Sequence, residues 1–181
     1  MANMKIIGIT GKARSGKDTV GNYLCLKHNF VQLSFAAPIK RMVTTLLNRG
    51  EDWIEEHKEK FIPGLESPRV LMQTLGTEWG RNIIDENIWI NLVSREINNL
   101  MTQHAHPVPA GVVITDCRFE NEAEWIHRQG GGRIWQVIRF DAPEIPSHSS
   151  EAGLSTNLVD EILLNNSGYE KLYQRIEEIL K

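Results

Sequence analysis

Apolar positions follow different rhythms along this chain, and the switches between them mark out its elements. Ile6-Ile7-Gly8-Ile9 is an unbroken apolar run ending in Thr10, as expected of a strand buried on both faces. The spacing then changes to three and four. Val20, Tyr23, Leu24 and the stem of Lys27 share one face of a helix expected over 17–29. Val31, Leu33 and Phe35 alternate with Gln32 and Ser34, which predicts a strand over 30–35. Pro38 opens a helix through Arg41, Met42, Leu46 and Leu47 that ends near Gly50, and 51–60 reads as a charged, exposed helical piece. Pro63-Gly64 breaks the chain. Ser67-Pro68 restarts it as cap and first turn of a helix with the apolar stripe Leu71, Leu75, Trp79 and Ile83. A second, narrower stripe on that helix holds Arg69, Gln73, Gly76 and Gly80.

The second half repeats the alternation. A helix is expected over about 86–103 through Ile90, Val93 and Ile97, and His104 to Pro109 breaks it. Val112-Val113-Ile114-Thr115-Asp116 is another continuous apolar run, a central parallel strand ending in an acid. A helix over 119–129 stops at Gly130-Gly131-Gly132, followed by strands over 133–140 and 158–164 and a last helix over 169–181. Strands separated by helices throughout imply an α/β fold: five parallel strands, right-handed crossovers and helices on both faces, three layers in all. Ligands of such sheets lie at the carboxyl ends of the strands.

One of those ends carries Gly11-Lys12-Ala13-Arg14-Ser15-Gly16-Lys17-Asp18-Thr19. Two glycines four residues apart, followed by lysine, between an apolar strand and a helix, form a phosphate-binding P-loop. The backbone N–H groups turn inward on phosphate oxygens, the helix N-terminus adds positive potential, and Lys17 reaches the β- and γ-phosphates. The pattern expects Ser or Thr after the lysine as a magnesium ligand, whereas this chain has Asp18 and then Thr19. Asp116, at the end of its strand, either orients phosphate and metal-bound water or caps the helix that follows. Arg118, two residues on, is the best placed of the scattered cations to meet transferred charge. Arg69 and Gln73 share a helix face, suiting a phosphate and a base edge, or simply water. Of the aromatic residues, Trp89 is the one to watch as a ligand contact, because it follows the Asp85-Glu86-Asn87 turn. His104 and His106 have no partner at metal-ligand spacing, and His148 lies in a late loop. The Asn-Lys-x-Asp element of a GTPase is absent from the sequence.

Composition narrows the setting more than the chemistry. The 181 residues are 41% hydrophobic and 24% charged with net charge −3, so no global basic field argues for nucleic acid or an anionic membrane. Cys25 and Cys117 lack metal-type spacing and read as reduced structural thiols. The apolar run near the start is too short for a signal peptide or a span, so the chain is expected to be cytoplasmic and not membrane-bound.

These residues resemble the phage-type deoxynucleoside monophosphate kinases. The resemblance rests on residues 11–19 with their Asp-Thr; on Ser34-Phe35-Ala36-Ala37-Pro38-Ile39-Lys40; and on Arg69-Val70-Leu71-Met72-Gln73-Thr74-Leu75-Gly76-Thr77-Glu78-Trp79-Gly80-Arg81. It continues in Asp85 to Trp89, in Thr115-Asp116-Cys117-Arg118-Phe119-Glu120-Asn121-Glu122, and in His148 to Leu154 with Ser150-Glu151 and Gly153-Leu154. It runs in order from about 5 to 170. It implies one adenylate-kinase-like P-loop domain over 1–181, with a helical substrate-binding region at about 38–104 and a short lid-like loop at about 141–153 in place of a long Arg-rich lid. The implied activity is transfer of the ATP γ-phosphate, with Mg²⁺, to deoxynucleoside monophosphates, in nucleotide biosynthesis serving phage DNA replication. Carried onto this chain, Gly11, Lys12, Ala13, Arg14, Ser15, Gly16, Lys17, Asp18 and Thr19 hold ATP. Lys40, Arg69, Gln73, Trp89 and Glu151 line the acceptor site, and Lys17, Asp116 and Arg118 work where the phosphates meet. The metal ligand stays open between Asp18, Thr19 and Asp116. The implied partners are small nucleotides, with the chain a monomer or homodimer. Two other classes share the P-loop: a kinase of another small phosphorylated acceptor, and a nucleotide-binding module that transfers nothing.

Overall fold

The computed structural model describes residues 4–102, 108–140 and 153–181. Its strands are β1 (Lys5–Thr10), β2 (Phe30–Leu33), β3 (Gly111–Ile114), β4 (Arg133–Ile138) and β5 (Glu161–Leu164). They form one sheet in the order β2-β3-β1-β4-β5, with every neighbouring pair parallel. The α-helices are α1 (Lys17–His28), α2 (Ala37–Leu47), α3 (Glu51–Glu56), α4 (Pro68–Gln73), α5 (Ile88–Thr102), α6 (Glu120–His127) and α7 (Tyr169–Leu180). The expected three-layer, five-stranded α/β fold is therefore present. No helix among the described residues is long and apolar enough to cross a membrane.

The chain packs as two compact units, one of residues up to Ser34 with those from Val93 onward, the other Phe35–Leu92. The first unit holds the whole sheet. One face of its core joins Ile7, Ile9, Val20, Leu24, Trp135, Val137, Leu163, Leu172 and Ile176, so β1, β4 and β5 bury their apolar side chains under α1 and α7. Gly21 keeps α1 close to the sheet: a Cβ there would meet Thr115 and Gln32. α1 buries Val20 and Leu24 of its expected face while Lys27 is exposed, and α2 buries Ile39 and Val43 with Leu46 exposed.

The second unit departs most from the expected pattern. The helix starting at Pro68 has its Ser67 cap, with Ser67 Oγ accepting from Val70 N–H. Beyond Gln73 it widens into a π-helix over Thr74–Ile84. Bonding to the fifth residue back, as in Asp85 N–H to the Gly80 carbonyl, turns each later side chain away from its α-helical position. The stripe expected from Leu71, Leu75, Trp79 and Ile83 consequently does not form: Ile83 is 72% exposed, while Gly76 and Gly80 are buried. The charged piece expected over 51–60 is shorter, and it buries Ile54.

Four strands are also shorter than expected. β2 stops at Leu33, β3 at Ile114 and β4 at Ile138, and β5 begins only at Glu161, because Thr156–Leu158 forms a 3-10 turn. Asp160 marks that late start. Its carboxylate accepts from Ile134 N–H at 2.7 Å, from Arg133 at 3.0 Å, and pairs with His127 at 2.8 Å, which fixes β5 against β4. Burial pushes this carboxyl up, but the Ile134 amide, His127 and Arg133 outweigh it and hold it below the usual carboxylate range. A depressed pKa stabilises the folded state above the unfolded value, about 3.9, and that contribution vanishes as pH falls through the folded value. Asp160→Asn is therefore expected to be less stable than wild type at pH 7, with the gap closing below about pH 4; thermal unfolding from pH 7 to pH 2.5 measures it, and a gap constant with pH would contradict it.

Candidate active site

The P-loop is shaped at both of its glycines. Gly11 leaves β1 at φ 140°, and a Cβ there would run into the Val137 carbonyl of β4. Gly16 sits at φ 105° as the N-cap of α1, and a Cβ there would run into the side-chain amide of Asn165. Both positions thus demand glycine for conformation and for space. Between them Ser15 N–H donates to the Lys12 carbonyl at 3.2 Å, and Val20 N–H donates to the Gly16 carbonyl as α1 begins. The first N–H groups of a helix have no acceptor within it, so the loop and the start of α1 present donors to an anion.

Lys17 lies back over the loop. Its Nζ donates to the Gly11 and Lys12 carbonyls, each at 2.8 Å. Ser15 is 1% exposed, and its Oγ is one of two buried side-chain polar atoms among the described residues without a hydrogen-bond partner. Beside the loop is a concavity of about 460 Å³ lined by Arg14, Lys17, Asp18, Thr19, Arg139 and Tyr169, among others. Three cations, an acid and two hydroxyls around glycine backbone suit a polyphosphate carrying a hard cation, which takes oxygen ligands from one or two side chains and from the phosphates themselves. Asp18 is exposed and Thr19 half-buried, so both oxygens are available to this space.

Asp116 and Arg118 stand at the end of β3, the strand next to β1, and do not line that concavity. Asp116 does not cap the following helix, which begins at Glu120 with Phe119 as its cap. Instead its Oδ2 accepts from Ser34 Oγ at 2.7 Å, tying the ends of β2 and β3 together. Next to it, Cys117 N–H donates to the Ile9 carbonyl of β1 at 3.1 Å. Arg118 and Phe119 give their backbone N–H groups to one oxygen of Glu122, at 2.8 and 3.0 Å. Glu122 is 2% exposed, so a buried carboxylate holds the Arg118 backbone.

In the second unit, Lys40 on α2 and Arg69 on α4 act on a common neighbour. Burial pushes the Glu55 carboxyl up, while Lys58, Lys40 and Arg69 together pull it below the usual range. Arg69 Nε donates to Glu59 at 2.6 Å. Gln73 is half-buried at the last turn of α4. Trp89 is 2% exposed, with its Nε1 donating to the Gly76 carbonyl at 2.8 Å and its ring filling the space that Gly80 leaves open. Glu151 and His148, with all of 141–153 except Gly153, lie outside the described residues, as do His104 and His106.

Ser34, Glu122 and Asn165 are site residues to which sequence reasoning assigned no role. Glu122 had a signal: a glutamate three residues past a helix cap commonly reaches back to backbone N–H groups. Ser34 and Asn165 act across sequence gaps of 82 and 150 residues, for which local pattern offers no sign.

The sheet order, the crossovers and the glycine cradle define a P-loop fold of the nucleoside-monophosphate-kinase type. A solved structure, TT1252 from Thermus thermophilus, shares that fold, with a TM-score of 0.55 at 18% identity over 98% of this chain and 97% of its own. The family model for deoxynucleotide monophosphate kinase matches residues 5–65 and 51–176, and the chain belongs to that family. A protein of Acanthamoeba polyphaga mimivirus, provisionally named deoxynucleotide monophosphate kinase, is 34% identical over 96% of this chain and 94% of its own length. The deoxynucleoside-5'-monophosphate kinase of Escherichia phage T5 is 33% identical over 62% of this chain and 45% of its own.

Removing the carboxylate beneath Arg118 strands two amides. Glu122→Ala is expected to lower unfolding free energy by about 3 kcal/mol and Glu122→Gln by about 1 kcal/mol, since bonds to charged acceptors are the stronger ones. Urea unfolding measures both; an alanine variant as stable as wild type would show that the carboxylate does not hold this turn.

Proposed function

We propose that the protein transfers the γ-phosphoryl group of ATP to a deoxynucleoside monophosphate, giving ADP and a deoxynucleoside diphosphate. The observation that carries the proposal is the glycine cradle at 11–16 with Lys17 lying over it, in a chain of this family. An oxygen of the acceptor phosphate attacks the γ-phosphorus in line, the bond from that phosphorus to the β-phosphate oxygen breaks, and ADP leaves. No covalent enzyme intermediate is needed.

The chain's own groups divide the work. The loop amides and the α1 N-terminus bind the donor phosphates. Lys17 exchanges its bonds to the Gly11 and Lys12 carbonyls for bonds to phosphate oxygens. Asp18, Thr19 or Asp116 would hold Mg²⁺ through a side-chain oxygen, and the ion would supply charge neutralisation to the donor phosphates. Arg118, its backbone fixed by Glu122, balances charge on the transferred group. Lys40 and Arg69 take the acceptor phosphate. The exposed Glu59 that pairs with Arg69 gives way readily, because exposed ion pairs contribute about 0–1 kcal/mol. Gln73 reads the base edge, and Trp89 holds the Gly76–Gly80 face from below. The chain works as a monomer or homodimer on small nucleotides.

ADP release with Mg-ATP, measured across the four common deoxynucleoside monophosphates and their ribonucleotide counterparts, tests the reaction. Wild type is expected to turn over at least one deoxynucleotide, and Lys17→Ala to lower kcat by about 10²–10³-fold, the loss seen when one transition-state donor is removed. Folded wild-type protein with no turnover of any of them would overturn the proposal; turnover of a different phosphorylated acceptor would redirect it to another P-loop kinase.

A further inference from the structure

We propose that Asn165 is a positioning residue that sets the shape of the phosphate loop for its ligand. The inference rests on the donor-site reading above for its function and on geometry alone for its structural part. β5 ends at Leu164, which lies opposite Ile138 in the ladder with β4. Asn165 N–H then donates to the Ile138 carbonyl at 2.8 Å, so the sheet still holds its backbone. From that fixed point its Nδ2 donates to the Ser15 carbonyl at 2.8 Å. The same amide occupies the space above Gly16, where a Cβ would collide with it.

A trans peptide points its C=O and N–H in opposite directions. Holding the Ser15 carbonyl on Asn165 therefore fixes the direction of the Gly16 N–H, at the residue where the loop becomes α1. The neighbouring Asn166 acts elsewhere. Its Oδ1 accepts from Phe140 N–H at 3.0 Å, locking the turn after β5 to the end of β4. The Asn165 bond joins neutral groups and touches neither the core nor the ladder on its side-chain end. Its contribution is pre-organisation: without it, the ligand must order residues 14–16 at the expense of its own affinity.

The test uses Asn165→Ala and Asn165→Asp. The aspartate keeps the volume but cannot donate as a carboxylate, and it is read in place of alanine if the latter fails to fold. Amide hydrogen exchange in nucleotide-free protein is expected to quicken about tenfold over 15–19 with β1 and β3 unchanged, a local rather than global loosening. Calorimetric Mg-ATP binding is expected to weaken about tenfold, the effect of one hydrogen bond, while binding of the best monophosphate acceptor stays within about twofold. Wild-type exchange in the loop of the folded variants would overturn the proposal. So would equal losses of both nucleotides with faster exchange in the strands, which is the mark of a merely structural residue. If wild type binds no Mg-ATP, the donor-site reading fails instead, and loop exchange still decides whether Asn165 sets the loop.

Discussion

A loop that binds phosphate through its own amides must bring bare backbone close to something rigid, and in this protein the rigid partner is the pair β4 and β5. The Val137 carbonyl leaves no room for a side chain at Gly11, and the Asn165 amide leaves none at Gly16. Because β1 is central and β4 is its parallel neighbour, the carboxyl ends of both strands arrive at the same edge of the sheet. β5 follows in register with β4, held at its start by the Asp160 carboxylate and continued past its end by Asn165. The shape of residues 11–16 is therefore a property of the sheet as much as of the loop. A phosphate cradle cut out with its own helix would lack the contacts that bend it.

The same edge carries Asp116 and Arg118 by the same logic. Asp116 and Arg118 leave β3, and each is held by a group from elsewhere: Ser34 at the end of β2, and Glu122 one turn into α6. Charge is managed locally throughout. The chain as a whole is acidic at −3, yet Arg14, Lys17 and Arg139 face one concavity, and Lys40 and Arg69 converge on Glu55 in the second unit. Glu59 also pairs with Arg69, at 2.6 Å.

The strands and the P-loop were legible in the sequence because their signals are short-range: unbroken apolar runs, and glycines at fixed spacing between a strand and a helix. Strand ends were less so. Leu158 and Val159 continue the apolar run of β5, but Asp160 bonds the backbone of β4 and delays the strand to Glu161. The π-helix was illegible for a different reason. Residues 71–83 show clean α-helical periodicity, and only packing decides that the turn widens so that Gly76 and Gly80 are buried while Trp79 and Ile83 are exposed. Of the candidate site, the loop residues could be read directly. Ser34 and Asn165 could not, since each acts on a partner far away in the chain.

Trp89 ties these observations together in the second unit. An indole has a single N–H to donate, and burying it without an acceptor carries a desolvation cost that packing must offset. Here the acceptor is the carbonyl of Gly76, and the ring rests where Gly80 has no side chain. The two glycines are four apart on the π-helix, so one aromatic residue on the next helix can engage both. That contact joins the Gly76–Gly80 edge to α5, and in the preceding α4 Arg69 and Gln73 are half-buried. A tryptophan placed after a turn and before a helix looks, in sequence, like a ligand contact. In this fold its N–H and ring engage the π-helix that continues from α4, and the side chain is 2% exposed.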